Sequence, residues 1–188
     1  MRALLLATAA PVAKLEGSEA KSEPKPLGIL TVLANQPRLL GPLLSWASAI
    51  VLEGALPRRD HEMLALRAAV SCRSDFEWGH HAVYGRAAGL SDEEVTRVVA
   101  GPGAPGWSDA DATLLRAADE LHRHTQISDN TWAALAERYE NAQLVEVPLV
   151  VGQYTMLSML ANAAGVPVEP GDESIPSRTR TGGSSSSA

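Results

Sequence analysis

The sequence is poor in cysteine, since Cys72 is the only one among 188 residues. A single cysteine excludes an internal disulfide framework, and it excludes a Cys-x-x-Cys pair for redox chemistry or zinc. The protein therefore has no disulfide that requires an oxidising compartment. We expect a cytoplasmic protein, although residues 1–13 have the outline of a weak signal peptide, with one arginine before a short apolar run.

Positive charge is also scarce. The chain has 16 Lys and Arg against 22 Asp and Glu, which gives a net charge of -6. No run of consecutive Lys or Arg residues is longer than the pair Arg58-Arg59. This balance argues against a surface that binds nucleic acid or an anionic membrane. The partners that remain are a small-molecule substrate and other protein subunits.

The sequence lacks the sustained alternation of polar and apolar residues that marks strands, and helical spacing predominates. We therefore predict an all-α protein with one helical domain over residues 27–168. Residues 1–26 are polar near their end and are expected to form a flexible lead, and residues 169–188 are expected to form a disordered tail. The predicted helices are one broken helix or two short ones over 27–54, then 57–72, 75–88, 91–99, 108–124, 128–139 and 142–164.

The last predicted helix, residues 142–164, is apolar on nearly every side, so it should be buried all round. Polar residues interrupt it, which favours a core helix or a subunit interface over a membrane span. These polar residues are Gln153, Tyr154, Thr155, Ser158 and Asn162.

The most suggestive ionisable groups lie within twenty residues, from Glu62 to His81. If the chain is helical from residue 74 to residue 88, then Ser74, Glu77 and His81 fall within an arc of about 60°. A hydroxyl, a carboxylate and an imidazole would then point to the same side.

Three segments carry a resemblance to a known family. They are Glu62-Met-Leu-Ala-Leu-Arg-Ala-Ala, Asp75-Phe-Glu-Trp-x-x-His81 and Ala88-Gly-Leu-Ser-Asp-Glu-Glu. The sequence resembles the carboxymuconolactone decarboxylase family, related to the alkylhydroperoxidase AhpD, over roughly residues 27–168. The resemblance implies an AhpD-like helical bundle that forms a homo-oligomer, as a dimer, trimer or hexamer.

The peroxidase branch of that family implies a Cys-x-x-Cys-x-x-x-His motif with a glutamate about twelve residues before it. In this chain Ser74 and Glu77 occupy the two cysteine positions. Cys72 lies two positions out of register, so it supplies neither an attacking nor a resolving thiol. Thiol peroxidase activity is not expected.

The resemblance instead implies a lyase that acts on a small carboxylated or lactone-like substrate without a cofactor. In that interpretation His81 delivers a proton after decarboxylation, Glu77 orients its imidazole or is itself the acid, and Glu62 completes a relay. One departure is His61, which stands where an arginine commonly precedes the glutamate. A missing cation there would weaken the anchoring of a carboxylate.

We also expect Ser74, His80 and Trp78 to bind the substrate. Each has a structural alternative: Ser74 as a helix cap, Trp78 as a packing residue, and His80 as a side chain facing solvent or an interface. His81 could be a satisfied core histidine bonded to Glu77 across one turn.

Glu62 could be an ion-pair partner of Arg58 or Arg59. We expect no metal, although Glu77-x-x-His80 has the spacing of di-iron bundles and Asp119 precedes His122 by three residues.

Two other functions stay open at this point. The same acid-base residues would serve a secondary-metabolism enzyme that performs elimination, cyclisation or isomerisation. Alternatively, the chain is a non-catalytic oligomeric helical protein that keeps the fold alone.

Overall fold

A computed structural model describes residues 28–177, so the flexible lead predicted for residues 1–26 lies outside the described residues. Over this range the chain forms helices and no strand, which confirms the all-α prediction. The helices are α1 (Gly28–Leu33), α2 (Pro37–Leu52), α3 (Arg58–Cys72), α4 (Asp75–Ala87), α5 (Asp92–Ala100), α6 (Asp109–His124), α7 (Asp129–Ala136) and α8 (Asn141–Ala164).

Serine side chains begin four of these helices, each accepting a hydrogen bond from a backbone N–H in the first turn. The capping box predicted at Ser91 is confirmed: its hydroxyl accepts from Glu94 N at 3.2 Å, and the Glu94 carboxylate accepts from Ser91 N at 2.9 Å. Between α3 and α4, Arg73 adopts a left-handed conformation with φ of 54°. This tight connection lets α3 and α4 pack against each other, and it brings Glu62 close to His81.

Helix α3 lies at the centre of the fold and contacts α4, α5, α6 and α8. Its residues 60–69 are all buried, and Met63, Leu64 and Leu66 are fully inaccessible. A helix buried on all sides is held by its neighbours in a fixed position. Functional groups on α3 therefore sit on a rigid element.

Helix α8 is buried on one side only, so the prediction of all-round burial was wrong for the single chain. Large apolar side chains remain exposed along the other side, within an arc of about 80° at 100° per residue. By length and composition alone α8 is apolar enough to cross a membrane, as the core helix of a soluble protein also is. We call this exposed stripe the α8 outer face; it comprises Val145, Leu149, Met156 and Met159.

Residues 169–177 lie against α1 and α4, whereas the sequence placed them in a disordered tail. The Glu169 carboxylate accepts a hydrogen bond from Gly28 N at 2.9 Å, and the Asp75 carboxylate accepts one from Ile175 N at 2.9 Å. Glu173 forms an ion pair with Arg86 at 2.6 Å. Ordering this segment costs conformational entropy, and its composition alone predicted that this cost would keep it disordered. The polar contacts offset that cost. The rest of the predicted tail, residues 178–188, lies outside the described residues.

Candidate active site

A cavity of about 120 Å³ lies between the N-terminal helices and the central helices α3, α4 and α8. Helices α1 and α2 contribute only aliphatic side chains to its wall, whereas α3, α4 and α8 contribute ionisable, aromatic and amide groups. An apolar cavity with a few convergent polar groups is the usual form of a small-molecule site. The aliphatic wall consists of Ile29, Leu30, Leu33, Leu43, Leu44, Ala47 and Val51.

Two carboxylates flank the imidazole of His81 at the polar side of this cavity. His81 Nδ1 lies 2.6 Å from Glu62 Oε2, and His81 Nε2 lies 3.6 Å from Glu77 Oε2. Glu77 and His81 are one turn apart on α4, so helical spacing alone brings them together. Glu62 comes from α3, where its side chain is wholly buried. The structure therefore places all three predicted catalytic side chains in one cluster.

The two carboxylates determine the charge of His81. Burial by itself would lower the pKa of this imidazole, but the adjacent charge and hydrogen bond of Glu62, together with Glu77, raise the pKa from 6.5 to about 9. For Glu62, burial acts to raise the pKa, yet the His81 charge and hydrogen bond outweigh it and the pKa is lowered. At neutral pH the pair is therefore an imidazolium and a carboxylate.

The Nδ1–H of this imidazolium is held by Glu62 in a short hydrogen bond. The Nε2–H faces Glu77 at a distance longer than an ordinary hydrogen bond. His81 thus has one proton that is firmly held and one that is available to a molecule in the cavity.

Arg58 supplies a second cation at the site. Its Nη2 lies 3.1 Å from Glu62 Oε1, and its Nη1 donates to the carbonyl of Val51 at 2.8 Å. Glu62 is therefore both a neighbour of His81 and an ion-pair partner of Arg58. The two interpretations of Glu62 from the sequence, as a member of the His81 cluster and as an ion-pair partner, are compatible. Arg59 points elsewhere and pairs with Glu94 and Asp111.

His61, at the position where the family pattern has an arginine, carries no charge at neutral pH. Burial lowers its pKa to about 4. Its Nε2 lies 2.8 Å from the Tyr154 hydroxyl, so one of the two groups donates to the other. The cation beside Glu62 in this chain is Arg58, one turn earlier on the same helix.

Two tyrosine rings enclose the His81 imidazole edge-on. The ring of Tyr154 is centred 4.2 Å from it, and the ring of Tyr84 is centred 5.6 Å from it. Burial raises the pKa of both phenols, so both stay protonated. The rings fix the orientation of the imidazole and limit its contact with water.

The predicted substrate-binding residues fall into two groups. His80 lines the cavity and is buried, with Nδ1 2.9 Å from the carbonyl of Phe76, so the alternative of a solvent-facing side chain was wrong. Ser74 and Trp78 are not among the residues that line the cavity. The Ser74 hydroxyl caps α4 by accepting from Glu77 N at 3.4 Å, and Trp78 is wholly buried in the main core. For these two residues the structural alternative fits the geometry.

Sequence reasoning missed three polar side chains that line the cavity: Tyr84, Gln153 and Tyr154. Tyr84 follows His81 by three residues on α4, a spacing that places both on one face. Gln153 and Tyr154 are polar residues in an otherwise apolar helix, and a polar residue on a buried helix signals a function or a specific partner. In the sequence they served only as an argument against a membrane span.

Asp119, considered above as a metal ligand, is held by an arginine. Arg67 Nε lies 2.5 Å from Asp119 Oδ1, and Arg67 Nη2 lies 2.9 Å from Oδ2, in a buried bidentate pair. Within residues 28–177, no group of three or more metal-ligating side chains is close enough to hold an ion.

Residues 37–120 match the model of the Carboxymuconolactone decarboxylase family, which confirms the resemblance found in the sequence. No curated protein matches the chain. The family match covers α2 to most of α6, and it includes Glu62, Glu77 and His81.

Solved structures share the fold. An uncharacterized peroxidase-related protein from Ralstonia eutropha JMP134, an alkylhydroperoxidase AhpD core, superposes with a TM-score of 0.69 at 14% identity, covering 76% of this chain and 77% of its own. A protein of unknown function from Agrobacterium tumefaciens, a putative antioxidant defence protein AhpD, gives 0.62 at 18% identity, covering 73% and 96%.

A cysteine-to-alanine variant of the debrominase Bmp8, in complex with 2,3,4-tribromopyrrole, gives a TM-score of 0.71 at 13% identity, covering 89% of this chain and 84% of its own. At such low identity these three likenesses establish an AhpD-like fold. They leave the reaction to be argued from the site.

Proposed function

We propose that this chain, whose residues 37–120 match the carboxymuconolactone decarboxylase family, is a cofactor-independent acid-base enzyme acting on a small carboxylated or lactone-like ring. The observation that carries the proposal is the position of His81: one ring nitrogen is held by buried Glu62 and the other faces Glu77 beside an apolar cavity. A proton donor in such a place is suited to general acid catalysis.

In a decarboxylation, the bond from the ring to the carboxylate carbon breaks and carbon dioxide leaves. The electron pair of that bond moves into the conjugated system of the substrate, giving an enolate or dienolate. The Nε2–H of His81 then protonates this anion, and the imidazole becomes neutral until it takes up a proton again. Glu62 holds the Nδ1–H throughout, which keeps the ring oriented and stabilises its cationic form.

Isomerisation is the second candidate reaction, and one distance favours it. The Glu77 carboxylate and the His81 Nε2–H lie 3.6 Å apart beside the same cavity, so one group can remove a proton from a ring carbon while the other returns a proton elsewhere. Assaying carbon dioxide release against deuterium uptake from D₂O separates the two reactions. Release of carbon dioxide supports decarboxylation, and deuterium uptake without it supports isomerisation.

The size of the cavity is consistent with a single-ring substrate. An apolar cavity of about 150 Å³ in another protein holds one benzene molecule, and the cavity here measures about 120 Å³. The debrominase neighbour is itself complexed with a brominated pyrrole, which is also a single ring. We do not propose thiol chemistry, because burial raises the pKa of Cys72 and Cys72 is not among the residues that line the cavity.

The activity should fall as the pH rises through about 9, the pKa of His81, because the imidazolium that donates the proton is lost. Since this pKa is raised from 6.5, the stability that the ion pair contributes is complete below 6.5 and is lost as the pH rises through about 9. In Glu62→Gln the alkaline limb should move to lower pH, because the larger of the two carboxylate contributions that raise the pKa of His81 is gone. A profile of kcat/KM against pH tests this, and an unmoved limb would contradict the assignment to His81.

We also propose that the protein is a homo-oligomer whose subunits meet through the α8 outer face. Exposed apolar residues in one stripe are typical of a surface that another subunit covers. Static light scattering should give the mass of a dimer, trimer or hexamer, and the double variant Met156→Glu, Met159→Glu should give a smaller mass with unchanged circular dichroism. A wild-type monomer would refute this interface.

A further inference from the structure

Gln153 is a polar side chain on the cavity wall whose amide oxygen has no hydrogen-bond partner within residues 28–177. It belongs to α8, is 4% exposed, and lines the cavity together with His81. Its Oε1 is buried and accepts no hydrogen bond from any residue that the structure describes. An unsatisfied buried polar group costs about 1 to 3 kcal/mol of stability. Retaining such a group on a cavity wall is consistent with a partner that enters the cavity.

The other polar groups around the cavity are engaged within the protein. Arg58 binds Glu62 and the Val51 carbonyl, the Tyr154 hydroxyl contacts His61, and His80 Nδ1 contacts a backbone carbonyl. Gln153 therefore adds a neutral hydrogen-bonding group to the two ionised groups that face an occupant, the Glu77 carboxylate and the Nε2 side of His81.

We infer that Gln153 recognises a hydroxyl or ring N–H on a single-ring ligand and so determines the specificity of this cavity; the inference rests on the proposed function for its substrate. A carboxamide carries an acceptor and a donor side by side. A ligand that only accepts, such as a simple lactone, satisfies Nε2 and leaves Oε1 unpaired. A hydroxyl donates to Oε1, and its own lone pairs can accept from Nε2. The substrate class is thus a ring, carboxylated or lactone-like, that also bears a hydrogen-bond donor.

Phenol and toluene test this inference directly, because they differ by a hydroxyl in place of a methyl group of similar size. An apolar cavity without a partner for the hydroxyl favours toluene, since burying an unpaired hydroxyl is unfavourable. With Gln153 present, one hydrogen bond should make phenol bind up to about tenfold more tightly than toluene. Titrations of the full-length protein followed by NMR give both dissociation constants.

In Gln153→Met, which keeps the length of the side chain, the preference should reverse in favour of toluene. Gln153→Leu provides a second variant, and Gln126→Met, at an exposed position remote in sequence from the lining residues, serves as the control that keeps the wild-type ratio. Thermal unfolding of Gln153→Met without ligand should occur at or above the wild-type temperature, because the substitution removes a buried acceptor that has no hydrogen-bond partner among the described residues.

An unchanged ratio in both Gln153 variants would overturn the inference, as would tighter binding of toluene by the wild type. Lower stability of Gln153→Met without ligand would assign Gln153 a structural role instead. The ratio of the phenol and toluene dissociation constants is measured without turnover, so it tests the role of Gln153 separately from the proposed reaction. The proposed function would instead fail if a variant lacking His81 kept full activity.

Discussion

Replacement of His81 by Gln should lower turnover by about 10² to 10⁴-fold, the range of a lost general acid. Gln can still donate a hydrogen bond to Glu62, so the variant should fold, but its amide has no proton to deliver at neutral pH. The loss should appear in kcat rather than in KM, because the proton is transferred in the chemical step. Steady-state kinetics on a ring substrate that the wild type converts, together with circular dichroism, measure both effects.

Glu77→Gln should also reduce turnover, and it provides the second arm of this test. His124→Gln is the matched control, because His124 is exposed at the end of α6, outside the cavity lining. If His81→Gln and Glu77→Gln both unfold, the cluster is a structural network and the non-catalytic alternative is favoured. If His81→Gln folds and keeps full turnover, the acid-base proposal is wrong.

Replacement of Arg67 by Met should lower the free energy of unfolding by about 3 to 5 kcal/mol, the cost of removing one partner from a buried ion pair. The Arg67 guanidinium makes two contacts with Asp119 and donates further hydrogen bonds to the carbonyls of Val98 and Val99. Without it, the ion-pair partner that Asp119 keeps among the described residues is Arg123, whose Nη2 lies 3.2 Å from Asp119 Oδ2 and whose side chain is largely exposed. Urea unfolding followed by circular dichroism gives the difference.

Arg116→Met is the control for this prediction, because Arg116 is an exposed residue on the same helix as Asp119. It should change the free energy of unfolding by less than about 0.5 kcal/mol. The double variant Arg67→Met, Asp119→Leu should recover much of the lost stability, since replacing both partners by apolar groups leaves no unpaired charge. A loss below about 1 kcal/mol in Arg67→Met would mean that water compensates the carboxylate.

Rules for residues within one helical turn, such as capping and side-chain spacing, were sufficient to predict most of the helices and the part of the site that lies on α4. Ser91 and Glu94 predicted a capping box because the hydrogen bonds concerned lie within one turn. Glu77 and His81 predicted a neighbouring pair because the spacing of four residues closes one turn of α4. The same rule applied to Tyr84 would have found a further member of the site.

Contacts between distant segments were beyond those rules. Residues 169–177 have a tail-like composition, yet Glu169 and Glu173 contact Gly28 and Arg86, which lie 141 and 87 residues away along the chain. The burial of α8 was overestimated. Its apolar composition indicates that contact with water is unfavourable, but it does not indicate which face of the helix packs against the rest of the chain. The structural roles of Ser74 and Trp78 likewise depend on what surrounds them.

The sequence by itself determined the helical class, the family resemblance, the loss of both thiols from the peroxidase motif and the pairing of Glu77 with His81. Only the tertiary structure decided that Glu62 reaches the other nitrogen of His81, that Arg58 is the arginine that pairs with Glu62, and that Gln153 lines a cavity. The reason is physical. Helical periodicity fixes neighbours within one turn, whereas the packing of α3, α4 and α8 fixes which groups share a buried site, and burial together with opposite charge then sets the protonation of His81.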